Sequence, residues 1–393
     1  MAIRTLRDLT LDGKRVLVRV DFNVPVDEKG RVRDDTRIRA ALPTIRYLVE
    51  KKCRVVLMSH LGRPKGKWVD SLSLKPVAER LSRLLRKKVV FPGDVVGEKV
   101  KEAVDALKPG EVLLLENLRF YPGEEKNDPE FAKQLAEYGD VFVNDAFGTA
   151  HRGHASNSAV TKFFREKAAG FLMENEISYF ERALKNPVRP VVAIFGGAKV
   201  SGKIQAITNV MKRVEKILIG GAMANTFFAA LGFGVGKSLF EEEMVPVAQK
   251  VLREARKRGV RLYFPVDVVV APELSAKART SIVPVQEIPD DMMALDTGPA
   301  TRLLFREAIQ DARTIVWNGP MGAFEFDPFS RGTYALIEDL ASSHALTIVG
   351  GGDTDTALHR TGLFDRMSYV STGGGAFLEL LEGKKLPGIE ALR

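Results

Sequence analysis

Short apolar runs rich in β-branched residues alternate along this chain with stretches of helical spacing. The runs are Val16–Val20, Val55–Met58, Val112–Leu115, Val141–Val143, Val191–Phe195 and Ile348–Val349. Between them, Leu74 to Arg86 places Leu74, Val77, Ala78, Leu81, Leu84 and Leu85 on one face, and Met244 to Lys257 and Arg302 to Gln310 have the same period. That alternation predicts βαβ units and an α/β fold with parallel sheets in both halves. A further helical stretch begins near Leu172, with Met173, Ile177, Phe180 and Leu184 on one face, and stops at Asn186-Pro187-Val188-Arg189-Pro190. A helix that ends at two prolines marks a boundary between two domains and a candidate hinge. No repeat and no low-complexity tract interrupts the pattern.

Strand after strand ends in residues suited to an anion. The first half supplies Asp21, Asn23, Arg37, His60, Arg63, Arg119, His151 and Arg152, all just past predicted strands or in the loops that follow. Guanidinium forks bind phosphate and carboxylate bidentately. Any one of these arginines alone would read as a surface ion pair, but their recurrence at corresponding strand ends points to a basic cup. The second half changes to glycine. Gly196-Gly197-Ala198-Lys199 follows one strand, with Lys203 four residues after Lys199, and Gly350-Gly351-Gly352-Asp353-Thr354 follows another. Ser371-Thr372-Gly373-Gly374-Gly375-Ala376 supplies a third glycine-rich helix start. Amides at such starts bind phosphate, and ligands in open α/β sheets sit outside the carboxyl ends of the strands. Lys199 and Lys203 are expected to project from one side of the first helical turns. Asp353 has two readings, a Mg²⁺ anchor or a helix cap. A basic cup and a nucleotide phosphate site together suggest phosphoryl transfer.

Composition narrows the partners. The chain has 393 residues, enough for two domains, with 45% hydrophobic and 28% charged residues, ordinary for a globular protein. The net charge of +9 would suit nucleic acid, but Lys and Arg are scattered among acidic residues, so phosphorylated metabolites are the better match. Cys53 is the only cysteine, which excludes an internal disulfide and favours a structural thiol in a reducing compartment. The start Met1-Ala2-Ile3-Arg4-Thr5-Leu6-Arg7 lacks the apolar core of a signal peptide, and no apolar run approaches the length of a membrane span. The expectation is a cytoplasmic protein with neither nucleic acid nor membrane as partner.

Two motifs are decoys. Gly232 to Ser238 resembles a phosphate-binding loop, but Leu231 stands where its first glycine belongs and helix precedes it. His151 and His154 have ligand spacing but no evident third ligand, which favours contact with the anion over a metal. A nucleotide-dependent dehydrogenase lacks its opening glycine fingerprint.

Six segments together resemble the phosphoglycerate kinase family: Arg19 to Pro25, Ser59 to Pro64, Glu116 to Phe120, Gly196 to Val200, Trp317 to Pro320 and Ser371 to Gly375. They occur in the family's order and span essentially the whole chain. The resemblance implies two Rossmann-like domains, each a parallel β-sheet flanked by helices, joined by an interdomain helix and hinge. The expected boundaries are 1–170 for phosphoglycerate binding, 171–186 for the helix and 187–383 for nucleotide binding, with the tail 384–393 a candidate to pack on the first domain. It implies a cytoplasmic, monomeric transferase of glycolysis that moves the acyl phosphate of 1,3-bisphosphoglycerate to Mg-ADP, reversibly, giving 3-phosphoglycerate and ATP after the domains close. By motif, Asp21, Asn23, Arg37, His60, Arg63, Arg119 and Arg152 would bind phosphoglycerate. Lys199, Lys203, Gly220, Gly221, Asn318, Glu325, Gly351, Gly352, Asp353 and Thr354 would bind nucleotide, with Glu325 on the ribose and Asp353 on Mg²⁺. Arg37, Lys199, Gly352, Gly373 and Gly374 would surround the transferred group. Gly153, Ala222 and Asp355 depart from the family's usual residues at their positions.

Overall fold

The computed structural model describes residues 3–393; Met1 and Ala2, which open the N-terminal segment read above, lie outside the described residues. The chain divides into two compact units. One runs through Ile177 and regains Lys385–Arg393; the other is Ser178–Lys384.

The first unit is built on six parallel strands: β1 (Arg15–Arg19), β2 (Arg54–Met58), β3 (Val89–Val90), β4 (Val112–Leu114), β5 (Val141–Asn144) and β6 (Lys167–Ala169). Their order is β3-β4-β2-β1-β5-β6. Val16 of β1 pairs with Val55 on one side and Val141 on the other. All of β5 and all but the first residue of β1 and β2 are buried. Strands covered on both faces carry continuous apolar runs rather than an alternation, and that is what the sequence displays. The helix Thr36–Glu50 buries Ile38, Ala41, Leu42, Ile45 and Leu48, leaving Arg37 in its first turn. After β1 the chain moves toward β2, whereas β5 and β6 lie on β1's other side, so the order reverses between β1 and β5.

The second unit repeats the design. Its parallel strands are β7 (Val191–Phe195), β8 (Lys216–Ile219) and β9 (Arg261–Tyr263), then β13 (Thr314–Asn318), β14 (Leu346–Gly350) and β15 (Tyr369–Val370). The order is β15-β14-β13-β7-β8-β9, with the reversal between β7 and β13. Between β9 and β13 the chain makes a three-stranded antiparallel sheet of β10 (Asp267–Ala271), β11 (Ser281–Pro284) and β12 (Met293–Thr297). Periodicity does not reveal strand direction, so this sheet was not foreseen.

The expected helix from Leu172 is present as Phe171–Phe180, continuing as a π-helical turn over Glu181–Lys185. Its start is fixed by Asp145, at the end of β5. Asp145 Oδ1 accepts the amides of Leu172 at 2.9 Å and Met173 at 3.2 Å. A Cβ on Gly170 would come within 2.2 Å of this carboxylate, so only glycine admits the approach. The returning tail buries Leu386, Ile389 and Leu392, and the Gly388 amide donates to the Ala150 carbonyl at 2.8 Å, directly behind the loop that carries Arg152.

Burial pushes Asp145 up to about 6, against the Thr44 hydroxyl and the amides of Met173 and Leu172. The folded state therefore keeps a proton that the unfolded chain has already released. This contribution to stability is present at low pH and is lost as pH rises through about 6. Asp145→Asn keeps an acceptor for the amides and cannot ionise. Its unfolding free energy relative to the parent should move in the variant's favour by about 2–3 kcal/mol between pH 4 and pH 7. Denaturant titrations across that range measure this, and a pH-independent difference would refute it.

Candidate active site

In the first unit, loops at the carboxyl ends of neighbouring strands are tied together. The Gly62 amide, after β2, donates to Asn23 Oδ1 at 2.9 Å, after β1, and the Phe22 amide donates to Ser59 Oγ at 2.8 Å. Arg37 Nη1 donates to Asp21 Oδ2 at 2.7 Å. Asp21 is 8% exposed and Arg37 39%, so the aspartate anchors the arginine while part of the guanidinium stays open to solvent. After β4, the Asn117 side chain caps the turn Leu118–Phe120 and thereby sets Arg119.

Arg119 is 2% exposed. Its Nη1 donates to the Gly62 carbonyl at 2.7 Å. Its Nε lies 3.3 Å from Glu125 Oε1 without hydrogen-bond geometry, and Nε and Nη2 find no acceptor among the described residues. Burial, then the charge of Arg152, lowers its pKa to about 10. Buried N–H groups of a charged fork are rarely left unpaired, and two such nitrogens at the strand ends suit an anion. His60 is buried and held far below the usual histidine range by burial, then by Arg19, Arg119, Arg152 and Arg37. Four guanidinium groups thus act on one imidazole. His154 is lowered to about 4 by burial and by Arg119, Arg19 and Arg152. Its Nδ1 stands 3.8 Å from Glu124 Oε1. Arg152 Nε is 3.3 Å from His151 Nε2. Arg63 is exposed beside Gly62 and contacts none of the others by hydrogen bond or ion pair.

Sequence reasoning missed Arg19, Ser156 and Glu124, all fully buried. Arg19 Nε donates to Ser156 Oγ at 2.7 Å, and Ser156 Oγ donates to Glu124 Oε1 at 2.6 Å. For Arg19 the available signal was a lone charge inside the apolar run Val16–Val20.

In the second unit, the loops after β7, β8 and β13 meet backbone to backbone at the strand-order reversal. The Gly197 amide donates to the Pro320 carbonyl at 2.8 Å, and the Gly221 amide to the Met321 carbonyl at 3.1 Å. Gly221 has φ +67°, and a Cβ there would lie 2.5 Å from the Gly197 nitrogen. A Cβ on Gly220 would meet Met321 Sδ at 2.4 Å. Asn318 Nδ2 donates to the Gly350 carbonyl at 2.9 Å, and the Gly319 amide to Thr354 Oγ1 at 2.9 Å. These bonds gather Gly220, Gly221, Asn318, Gly351 and Thr354 into one frame. The helices Gly352–Thr361 and Gly374–Leu381 begin at Gly351 and Gly373 with no side-chain cap on either. A Cβ on Gly374 would come 3.4 Å from Gly351 Cα, so the two uncapped starts are close neighbours. Their first amides are available to a phosphate.

The lysines differ from expectation. The helix begins only at Ile204, because Gly197, in left-handed backbone, and buried Val200 hold the preceding residues in turns. Lys199 is exposed, whereas Lys203 folds inward and its Nζ donates to the carbonyls of Gly196 at 2.6 Å and Asn318 at 3.2 Å. Burial lowers Lys203 to about 8, opposed by the charge of Asp353. Asp353 is exposed in the first turn of its helix and does not cap it. Asp355, the departure from family usage, pairs instead with His359 at 3.2 Å on its own helix. Glu325 is exposed in the loop after β13. A single exposed carboxylate beside two uncapped helix starts suits Mg²⁺, which takes one or two carboxylates together with substrate phosphates.

Two parallel α/β sheets, each opening at its order reversal onto groups suited to an anion, fit the class of α/β phosphotransferases. The phosphoglycerate kinase family profile matches residues 6–384. The chain belongs to the phosphoglycerate kinase family. It is 58% identical over 393 residues to the phosphoglycerate kinase of Geobacter metallireducens, covering 100% of this chain and 99% of that one. It is 57% identical to that of Citrifermentans bemidjiense, covering 100% and 98%. Among solved structures, phosphoglycerate kinase from Coxiella burnetii superposes with a TM-score of 0.91 at 44% identity, covering 100% of this chain and 99% of the other. That from Pyrococcus horikoshii gives 0.86 at 34%, covering 99% and 98%.

The glycine frame can be tested by substitution. Gly221→Ala forces a left-handed alanine, costing about 1–2 kcal/mol, and drives its Cβ into the Gly197 backbone, adding to that loss. Gly153→Ala meets nothing within 4 Å and should leave stability unchanged or slightly raised. Denaturant unfolding of both variants separates the two, and equal stabilities would refute the role given to Gly221.

Proposed function

We propose that this chain transfers the acyl phosphate of 1,3-bisphosphoglycerate to Mg-ADP, reversibly, giving 3-phosphoglycerate and ATP. The observation that carries this reading is Arg119, with two buried guanidinium nitrogens lacking acceptors among four arginines that act on His60. A ligand bearing both a phosphate and a carboxylate uses such forks fully. Asp21, Asn23, Arg37, His60, Arg63, Arg119 and Arg152 are assigned to it. Lys199, Lys203, Gly220, Gly221, Asn318, Glu325 and Gly351 to Thr354 are assigned to the nucleotide, Glu325 at the ribose.

The transferred group disperses negative charge over its oxygens, so the protein's task is positioning and electrostatic stabilisation. An oxygen of ADP attacks directly, and no protein nucleophile is required. Arg37 on the phosphoglycerate side, and Lys199 with the helix starts at Gly352, Gly373 and Gly374 on the nucleotide side, are the groups we assign to that charge. Asp353 would hold Mg²⁺, which would supply positive charge to offset that of the nucleotide phosphates. The protein acts as a cytoplasmic monomer in this reading.

Purified protein should form ADP from ATP only when 3-phosphoglycerate is supplied; equal ATP consumption without it would overturn the reading. Arg37→Ala and Lys199→Ala should each lower kcat by on the order of 10²–10³ with smaller changes in substrate binding, and a near-normal kcat would remove that residue from the assignment. Calorimetry on Asp353→Asn should show weakened Mg-ADP binding with 3-phosphoglycerate binding intact. Unchanged Mg-ADP affinity would take the metal role from Asp353.

A further inference from the structure

Behind the cup lies a chain of buried polar groups that no ligand need touch. Glu124 holds Ser156 twice, through the backbone amide at 3.0 Å and the hydroxyl at 2.6 Å. With its hydroxyl proton committed to Glu124, Ser156 Oγ accepts Arg19 Nε at 2.7 Å. Arg19 Nη1 donates to the Val20 carbonyl, and Nη2 lies 3.2 Å from His60 Nδ1. All three guanidinium nitrogens are therefore engaged within the protein, in contrast to Arg119. Burial lowers the pKa of Arg19, while Glu124, then Asp21, act to keep its charge.

A guanidinium has donors and no acceptor. His60 Nδ1 must therefore be the accepting nitrogen in that contact and carries no proton. The other neighbours agree. Arg37, Arg119 and Arg152 all oppose a positive ring, and the nearest carboxylate oxygen, Asp21 Oδ1, is 3.9 Å from Nδ1, beyond hydrogen-bond reach. We propose that the relay Glu124–Ser156–Arg19 fixes His60 as a neutral imidazole with its proton on Nε2, making the ring a directed N–H donor rather than a fifth positive charge in the cup. Arg19 and Ser156 are on this view positioning residues. Their effect on catalysis rests on the reading of the cup as the phosphoglycerate site, whereas the state of the ring does not.

Nitrogen-15 correlation spectra of the unliganded protein, with His60→Gln used to assign the ring, test the proposal directly. His60 should show a protonated Nε2 and an unprotonated Nδ1, unchanged from pH 6 to pH 8. A proton on Nδ1, or a charged ring at pH 7, overturns it whether or not any variant folds. Ser156→Ala removes the acceptor that orients Arg19. It should mix the two ring tautomers and raise KM for 3-phosphoglycerate on the order of 3–10-fold with little change in kcat, about the net worth of one hydrogen bond. Glu124→Gln keeps an acceptor for Ser156 and should give the smaller effect. An unchanged ring spectrum and unchanged KM in Ser156→Ala would show that the relay does not control His60. Failure of the parent to turn over 3-phosphoglycerate would remove the substrate assignment and leave the spectral result standing.

Discussion

A parallel sheet buried on both faces has only its ends free for chemistry, and the rest of this structure follows from that. Within each large sheet every strand points its carboxyl end the same way, and each order reverses once, between β1 and β5 and between β7 and β13. At a reversal the connecting loops diverge to opposite sides and leave a crevice. The residues before and after it come from segments far apart in sequence but adjacent in the sheet. Asp21, just past β1, and Arg152, in the segment after β5, flank the first reversal in this way, and Gly197 meets Pro320 at the second.

The two crevices are lined by different kinds of group. The first uses side chains, and its crowding of guanidinium groups is tolerated because acids are set into it. Asp21 faces Arg37 and buried Glu124 faces Arg19 through Ser156. Removing one partner of such a buried arrangement leaves the other charge uncompensated, the expensive case. The second crevice uses backbone amides, so its requirement is close approach. That is why glycines there carry left-handed dihedrals and why a single Cβ would collide with neighbouring main chain.

Much of this was legible in advance where the information is local. The apolar runs marked β1, β2, β4, β5, β7 and β14 but not the other six strands of the two large sheets, and of the residues expected beyond them Arg37 lies in the first turn of a helix. What the sequence concealed depends on pairs distant along the chain. Ser156 meets Arg19 across 137 positions and Glu124 across 32, and no local pattern announces either contact. The inward turn of Lys203 depends on carbonyls at Gly196 and Asn318, and the antiparallel sheet of β10–β12 depends on which strand folds back on which. The exposed side chains of Lys199, Arg63, Glu325 and Asp353 make no hydrogen bond or ion pair among the described residues, so for these the sequence motif says more than packing does.

The first unit is discontinuous: the chain leaves it after Ile177 and regains it at Lys385. Synthesis runs from the N-terminus at about 5–20 residues per second, so roughly 10–40 s separate the two portions on the ribosome. Until the last residues emerge, the apolar surface that Leu386, Ile389 and Leu392 cover has no occupant, and Ala150, next to the loop of Arg152, lacks its Gly388 donor. The first unit is thus begun before the second and closed only after it, which ties its final packing to synthesis of the second unit.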